Sequence, residues 1–164
     1  MGCLSSVRSK FGGDIMSNII DAQRTPFFLA TLTTQVSTVT GDGTVYTPIW
    51  DTLSSGSGYN TSNGIFTCPI AGEYLFITRF HATGITSSHT YANLLYIATG
   101  GSFQTCDFSL AHAFTSSNDV IFTPSVAPIR MSVGDTVHVT VQVSNGTKVI
   151  NFGTLSTFSG VRLP

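Results

Sequence analysis

The residues able to do chemistry in this 164-residue chain are few and scattered. His81, His89, His112 and His138 never fall two residues apart, so no pair has the spacing that puts two imidazoles on one strand face for a metal. His81 is read as a packed histidine holding one hydrogen bond. Asp42, Asp51, Asp107 and Asp119 are isolated, whereas a calcium ion needs six to eight oxygen ligands, so no ligand set stands out. Glu73, the only glutamate, is read as solvating an exposed edge, and Asp135 after Gly134 as a turn carboxylate accepting backbone amides. Gly-x-Ser-x-Gly, His-Glu-x-x-His, Gly-x-Gly-x-x-Gly and phosphate-cradling Gly-Lys-Ser/Thr are all absent from the sequence. No catalytic residue, cofactor-binding residue or metal ligand is therefore assigned, and an enzyme is not expected.

Covalent modification offers other candidates. Met1-Gly2-Cys3-Leu4-Ser5-Ser6 fits the myristoylation pattern at Gly2, with Cys3 placed for palmitoylation; initiation at Met16 would remove both. Cys68 and Cys106 sit inside apolar strand patterns, where either two small buried hydrophobes or a bridge is compatible with the sequence, and geometry decides. Asn60-Thr61-Ser62 and Asn145-Gly146-Thr147 fit the glycosylation sequon, but without a visible secretory signal they read first as turn chemistry.

Composition narrows the partners. Charged residues make up 9% and the net charge is -1, with seven Lys and Arg scattered singly, so nucleic acid, which needs clustered cations, is not expected as a partner. No 18-residue apolar run predicts a membrane span. Met1 to Ile20 lacks the apolar core of a signal peptide. Residues 1–24 carry no strand alternation and are read as an arm that anchors or links, with one domain over residues 25–164.

The elements that must position these residues are strands. Gly64 to Cys68 and Glu73 to Thr83 read as a pair joined by a corner, because Pro69 has no amide proton and Gly72 can take a positive φ. Phe27 to Thr34 and Thr44 to Trp50 are strand-like, the latter marked as edge or bulge by Pro48, and Ser54 to Gly58 reads as a small-residue loop. Tyr91 to Thr99 and Phe103 to Thr115 flank a turn at Gly100-Gly101. Val120 to Thr123 and Val126 to Met131 follow. Val137, Val139, Val141 and Val143 alternate with polar residues, which requires one buried face; Asn145-Gly146 then predicts a hairpin, and Leu155 to Leu163 closes the sheet. About ten short strands punctuated by Gly and Pro predict an all-β, two-sheet sandwich.

Tyr59-Asn60, Gly64-Ile65-Phe66-Thr67-Cys68-Pro69 and Gly72-Glu73-Tyr74-Leu75-Phe76 together resemble the core motif of the complement C1q globular-head family, within the tumour necrosis factor-like jelly rolls. Gly134-Asp135 resembles that family's turn into its penultimate strand, and Phe158-Ser159-Gly160 the ending of its last. The resemblance spans Thr25 to Leu163 and implies a jelly-roll β-sandwich that assembles as a homotrimer; calcium occurs in some relatives. Phe27, Phe28, Phe80, Tyr96, Phe103, Phe108, Phe114, Phe122 and Phe152, added to the motif's own rings, are expected to exceed one core and to line the subunit interface. The expected function is a non-catalytic structural or recognition module on a virion or phage surface (decoration, fibre-tip or capsid-associated), bound to a larger assembly through residues 1–24. Its loops Ser54 to Gly58, Gly84 to Thr90 and Ser116 to Asp119 are the candidates for a surface glycan or protein receptor. The alternatives are an extracellular C1q-like lectin and a cupin-type metalloprotein or enzyme.

Overall fold

The computed structural model describes residues 25–99, 103–109, 118–124 and 127–164. The arm with Gly2 and Cys3, the Gly100-Gly101 turn, Phe114 and Ser116 lie outside them. The described residues form fourteen strand segments in two antiparallel sheets and contain no helix. One sheet contains β1 (Phe27–Thr31), β2 (Val36–Thr40), β4 (Thr52–Gly56), β7 (Gly72–Ile85), β13 (Ile150–Phe152) and β14 (Thr157–Arg162), in the order β2-β13-β7-β14-β1-β4. Two further segments, β10 (Asn118–Phe122) and β11 (Ile129–Met131), pair with the upper and lower halves of β7. The second sheet runs β5 (Tyr59–Asn60), β6 (Ile65–Thr67), β12 (Thr136–Ser144), β8 (Tyr91–Ala98), β9 (Phe103–Ser109), with β3 (Val45–Tyr46) also on β12.

Alternation builds the core between the sheets. Val137, Val139, Val141 and Val143 all point inward and are fully buried, as their period of two requires. They face Tyr74, Phe76, Thr78, Phe80 and Ala82 of β7, which are buried as well. Phe28 is the hub of the lower core, stacking on Tyr59 at 5.4 Å and Phe66 at 4.8 Å and meeting Phe158 edge-on at 4.9 Å. Trp50 and Phe152 fill the region above. Rings in such offset and edge-on pairs add about 0.5–1.5 kcal/mol each beyond their burial.

Four local expectations need correction. Gly72 does not adopt a positive φ; it opens β7 in extended conformation, and its constraint is that a Cβ would come 2.5 Å from Arg162 Nε. The strand over Thr44 to Trp50 shrinks to Val45–Tyr46, because Pro48 cannot donate to a ladder, and the pairing is recovered downstream where Ser54 and Ser55, read as loop, belong to β4. Asn145 does take the left-handed turn conformation, at φ 73°, but no hairpin follows: β13 leaves β12 and pairs with β2 and β7 in the opposite sheet. The strand count exceeds ten because Pro124 and Pro128 flank the gap between β10 and β11, and because two segments are only two residues long.

Candidate functional site

The motif residues come together as a structural unit. Tyr59, Phe66, Tyr74, Phe76 and Phe158 are buried core rings. Gly64 turns the chain at φ 76°, and its missing side chain lets Pro48 O approach; Asn60 Oδ1 accepts the Ser62 amide at 2.8 Å to shape the same turn. The Cys68-Pro69 corner is bonded to the Gly134-Asp135 turn, since Gly134 N donates to Cys68 O (2.9 Å) and Cys68 N to Asp135 O (2.8 Å). Asp135 Oδ2 accepts the Ser132 amide at 2.6 Å, which is the turn role read from sequence. Gly160 leaves room for the Phe28 and Phe76 rings.

None of these offers reactive chemistry. Burial is the main cause that pushes the Tyr59 phenol up to about 12, and likewise Tyr74, beside Cys68, to about 12. Cys68 is a free buried thiol whose Sγ donates to Ile70 O at 3.2 Å, so it is not bridged to Cys106, which lies on β9 opposite Leu94. His81 is mostly covered, with Nε2 3.7 Å from Asp119 Oδ2 and Nδ1, against Gly153, without a partner among the described residues. Among the described residues no three His, Cys, Asp or Glu side chains gather as a metal cage.

What stands out is the outward face of the eight-stranded sheet. Register places Phe27, Val161 and Leu75 side by side across β1, β14 and β7, and Leu29, Ser159 and Ile77 in the next row. Thr31, Thr157 and Arg79 form the third row, where the surface turns polar. Phe27 is 48% exposed, Ile77 40%, Val161 37% and Leu29 36%, and a groove of about 530 Å³ runs between them. Among the described residues no titratable side chain lines it, and its lining can bury apolar surface against a partner.

This revises the aromatic argument. Phe28, Tyr74, Phe76, Phe80, Tyr96, Phe122, Phe152 and Phe158 are all inside the single domain, while the side chains of Phe103, Phe108 and Phe114 lie outside those described. Phe27 alone of the expected aromatics is exposed among the described residues, and the open face is chiefly aliphatic. The sequence carried the signal in Phe27-Phe28-Leu29 and Tyr74-Leu75-Phe76-Ile77, strands apolar on both faces.

A second feature was missed. His89 is fully buried at the end of the sandwich opposite the chain's entry and exit. Its Nδ1 accepts the Thr86 amide at 3.0 Å and its Nε2 donates to Thr147 O at 3.0 Å, so it ties two loops together.

Comparison with known proteins agrees with this architecture. Residues 28–163 match the C1q domain family model. No curated protein matches the chain in sequence. Among solved structures, the globular domain of zebrafish complement 1qA is similar at a TM-score of 0.59 and 19% identity, covering 86% of this chain and 98% of that one. The Eiger tumour necrosis factor of S. frugiperda gives 0.60 at 14%, covering 87% and 94%, and murine APRIL gives 0.56 at 14%, covering 85% and 100%. At these identities the likeness is one of fold.

Proposed function

Because the chain belongs to the C1q domain family, whose jelly-roll domains are typically trimeric recognition modules, we propose that it is a non-catalytic homotrimer assembled through the Phe27, Leu29, Leu75, Ile77 and Val161 face. The observation that carries this reading is the two-row apolar surface on β1, β14 and β7. A sheet with water on one side ordinarily alternates apolar with polar, and here both sides are apolar where the three strands adjoin, Ser159 excepted. Each side chain of this size contributes roughly 1.5–3 kcal/mol when fully buried, so an assembly covering the face has a strong apolar drive.

Within that reading, the setting is an exposed one: the surface of a virus or phage particle or the extracellular space. Support for a particle comes from the charge-poor, Ser- and Thr-rich sequence and from a 24-residue segment preceding the domain that could hold it to a larger body. Phe27 pairs with Val161, so the chain enters and leaves at one end, which leaves the opposite end, around Thr86–Thr90 and Asn145–Val149, for a glycan or protein receptor. No helix among the described residues is long and apolar enough to cross a membrane.

Light scattering on the purified chain tests the assembly: the expected mass is three times 17.4 kDa. Ile77→Arg should give monomers with an unchanged β-sheet circular dichroism spectrum. A wild-type monomer at micromolar concentration would sink the reading.

A further inference from the structure

We propose that Asn60 is an acceptor site for an N-linked glycan. The sequence Asn60-Thr61-Ser62 meets the sequon requirement, and Asn60 is exposed where β5 turns toward β6. The carboxamide is already divided between two tasks. Oδ1 accepts the Ser62 amide at 2.8 Å, which fixes the side chain over its own turn. Among the described residues no acceptor holds Nδ2, the atom that takes the sugar.

The surrounding turn is made locally. Besides the Asn60 to Ser62 bond, Gly64 N donates to Asn60 O at 2.9 Å and Asn63 N to the same carbonyl at 3.4 Å, so these three bonds join residues at most four apart. Such a turn can form in an emerging chain before either sheet exists. The second sequon lacks this property. Asn145 Nδ2 is spent on Thr90 Oγ1 at 2.7 Å, 55 residues away in sequence. The Gly146 that follows donates its amide to Gly41 O at 3.0 Å and lies against the His89 ring. Its geometry therefore depends on the finished fold, in which its amide nitrogen is engaged.

The reaction is a glycosyl transfer from a lipid diphosphate-linked oligosaccharide by a secretory-pathway transferase. Asn60 Nδ2 forms a bond to the anomeric carbon, the bond from that carbon to the diphosphate oxygen breaks, and the lipid diphosphate departs with the electron pair. The amide proton passes to the enzyme's base. Ser62 and its hydroxyl remain unmodified.

Position favours accommodation of the product. β5 is the outer strand of the six-stranded sheet, whereas the apolar rows of Phe27 and Ile77 lie on the other sheet, so a glycan does not compete for that face. It would also cover an edge strand, a position where unpaired backbone groups otherwise invite pairing with a foreign chain. The inference does not depend on trimer formation. It depends only on passage through a glycosylating compartment.

The test is to express the full chain behind a cleavable secretion leader in eukaryotic cells and to treat both lysate and medium with an N-glycan amidase. The expected result is a mobility increase equal to one glycan in the wild type, retained in Asn145→Gln and lost in both Asn60→Gln and Ser62→Ala. Ser62→Ala keeps the Asn60 side chain and the turn, so it separates the sequon from any folding defect of Asn60→Gln. Absence of a shift in either wild-type fraction, or an undiminished shift in Asn60→Gln and Ser62→Ala, overturns the proposal.

Discussion

Gly160 on β14 faces the ring of Phe28 so closely that a Cβ at position 160 would lie 2.6 Å from Phe28 Cε1. It would also lie 2.7 Å from Phe76 Cε1, and both rings are locked among Tyr59, Phe66 and Phe158. Gly160→Ala should therefore destabilise the fold by roughly 1–3 kcal/mol, the usual cost of overpacking a dense core. Urea denaturation followed by Trp50 fluorescence measures it, and an unchanged midpoint would mean that the rings move aside freely.

Two of the other motif glycines, Gly72 and Gly64, should behave unequally. At Gly72 the three atoms nearest an added Cβ all belong to the Arg162 side chain, which can swing away at the loss of its 3.1 Å bond from Nε to Ala71 O. At Gly64 it meets Pro48 O, a backbone atom, in a residue whose φ is 76°. Gly72→Val is expected to cost under about 1 kcal/mol, in the range of ordinary surface changes, and Gly64→Val at least about 2 kcal/mol from strain and clash combined. Equal melting temperatures for the two variants would contradict this ranking.

How much of this was legible follows the range of each interaction. The Val137 to Val143 alternation announced its strand because covering one face is a local, period-two property, and both halves of the Cys68 and Gly72 corner were placed correctly in chain order. What failed depended on partners distant in sequence. Gly72 reads as a φ-driven glycine in the sequence because the Arg162 that crowds it lies 90 residues away. Asn145-Gly146 turned as expected, yet nothing nearby in sequence says that β13 must cross to the other sheet. A count of rings overstates the surplus, because rings stack on one another and one core absorbs more of them than a count suggests; the aliphatic residues left outward at Leu29, Ile77 and Val161 are the better sign of the proposed assembly face.

Thr78 carries the opposite lesson about polar groups. Its hydroxyl is buried on the inner face of β7 without a hydrogen-bond partner among the described residues. Thr78→Val keeps the shape and removes the unpaired group, so it should raise stability by about 1 kcal/mol. A drop of that size in thermal or urea denaturation would indicate that the hydroxyl is satisfied, for instance by internal water.

Acid sensitivity should trace in part to Asp51. Burial pushes its carboxyl up, but the Thr33 amide on Oδ1 at 2.9 Å, the Thr33 hydroxyl on Oδ2 at 2.8 Å and further donors outweigh it, leaving the group below its ordinary 3.8. A carboxyl depressed by folding contributes stability that is complete above the unfolded value and disappears as the pH falls through the folded one. Asp51→Asn should flatten the decline in stability as the pH falls below about 4. The comparison needs urea midpoints for both proteins between pH 7 and pH 3, and parallel curves would remove Asp51 from the account.

His89 should control the far end of the sandwich independently of the apolar face. The ring is fully buried, its Nδ1 must be unprotonated to accept the Thr86 amide, and its Nε2 proton is given to Thr147 O. Gly41 and Gly146 close over it, and Gly146 N bonds Gly41 O at 3.0 Å, so three loops share one side chain. His89→Ala leaves the Thr86 amide without its ring acceptor beside a cavity, while Thr147 O keeps the Val149 amide at 2.8 Å, and should cost about 2 kcal/mol, an unsatisfied buried group contributing roughly 1–3 kcal/mol. The loss should be local. Hydrogen exchange is expected to rise across Thr86–Thr90 and Asn145–Val149 and to stay unchanged in Leu75–Ile77 and Ser159–Val161, with the oligomeric mass unaltered. Faster exchange in those two strand segments as well would show that the loop cluster and the assembly face are coupled, and the far end could not then vary in sequence to suit a receptor without disturbing assembly.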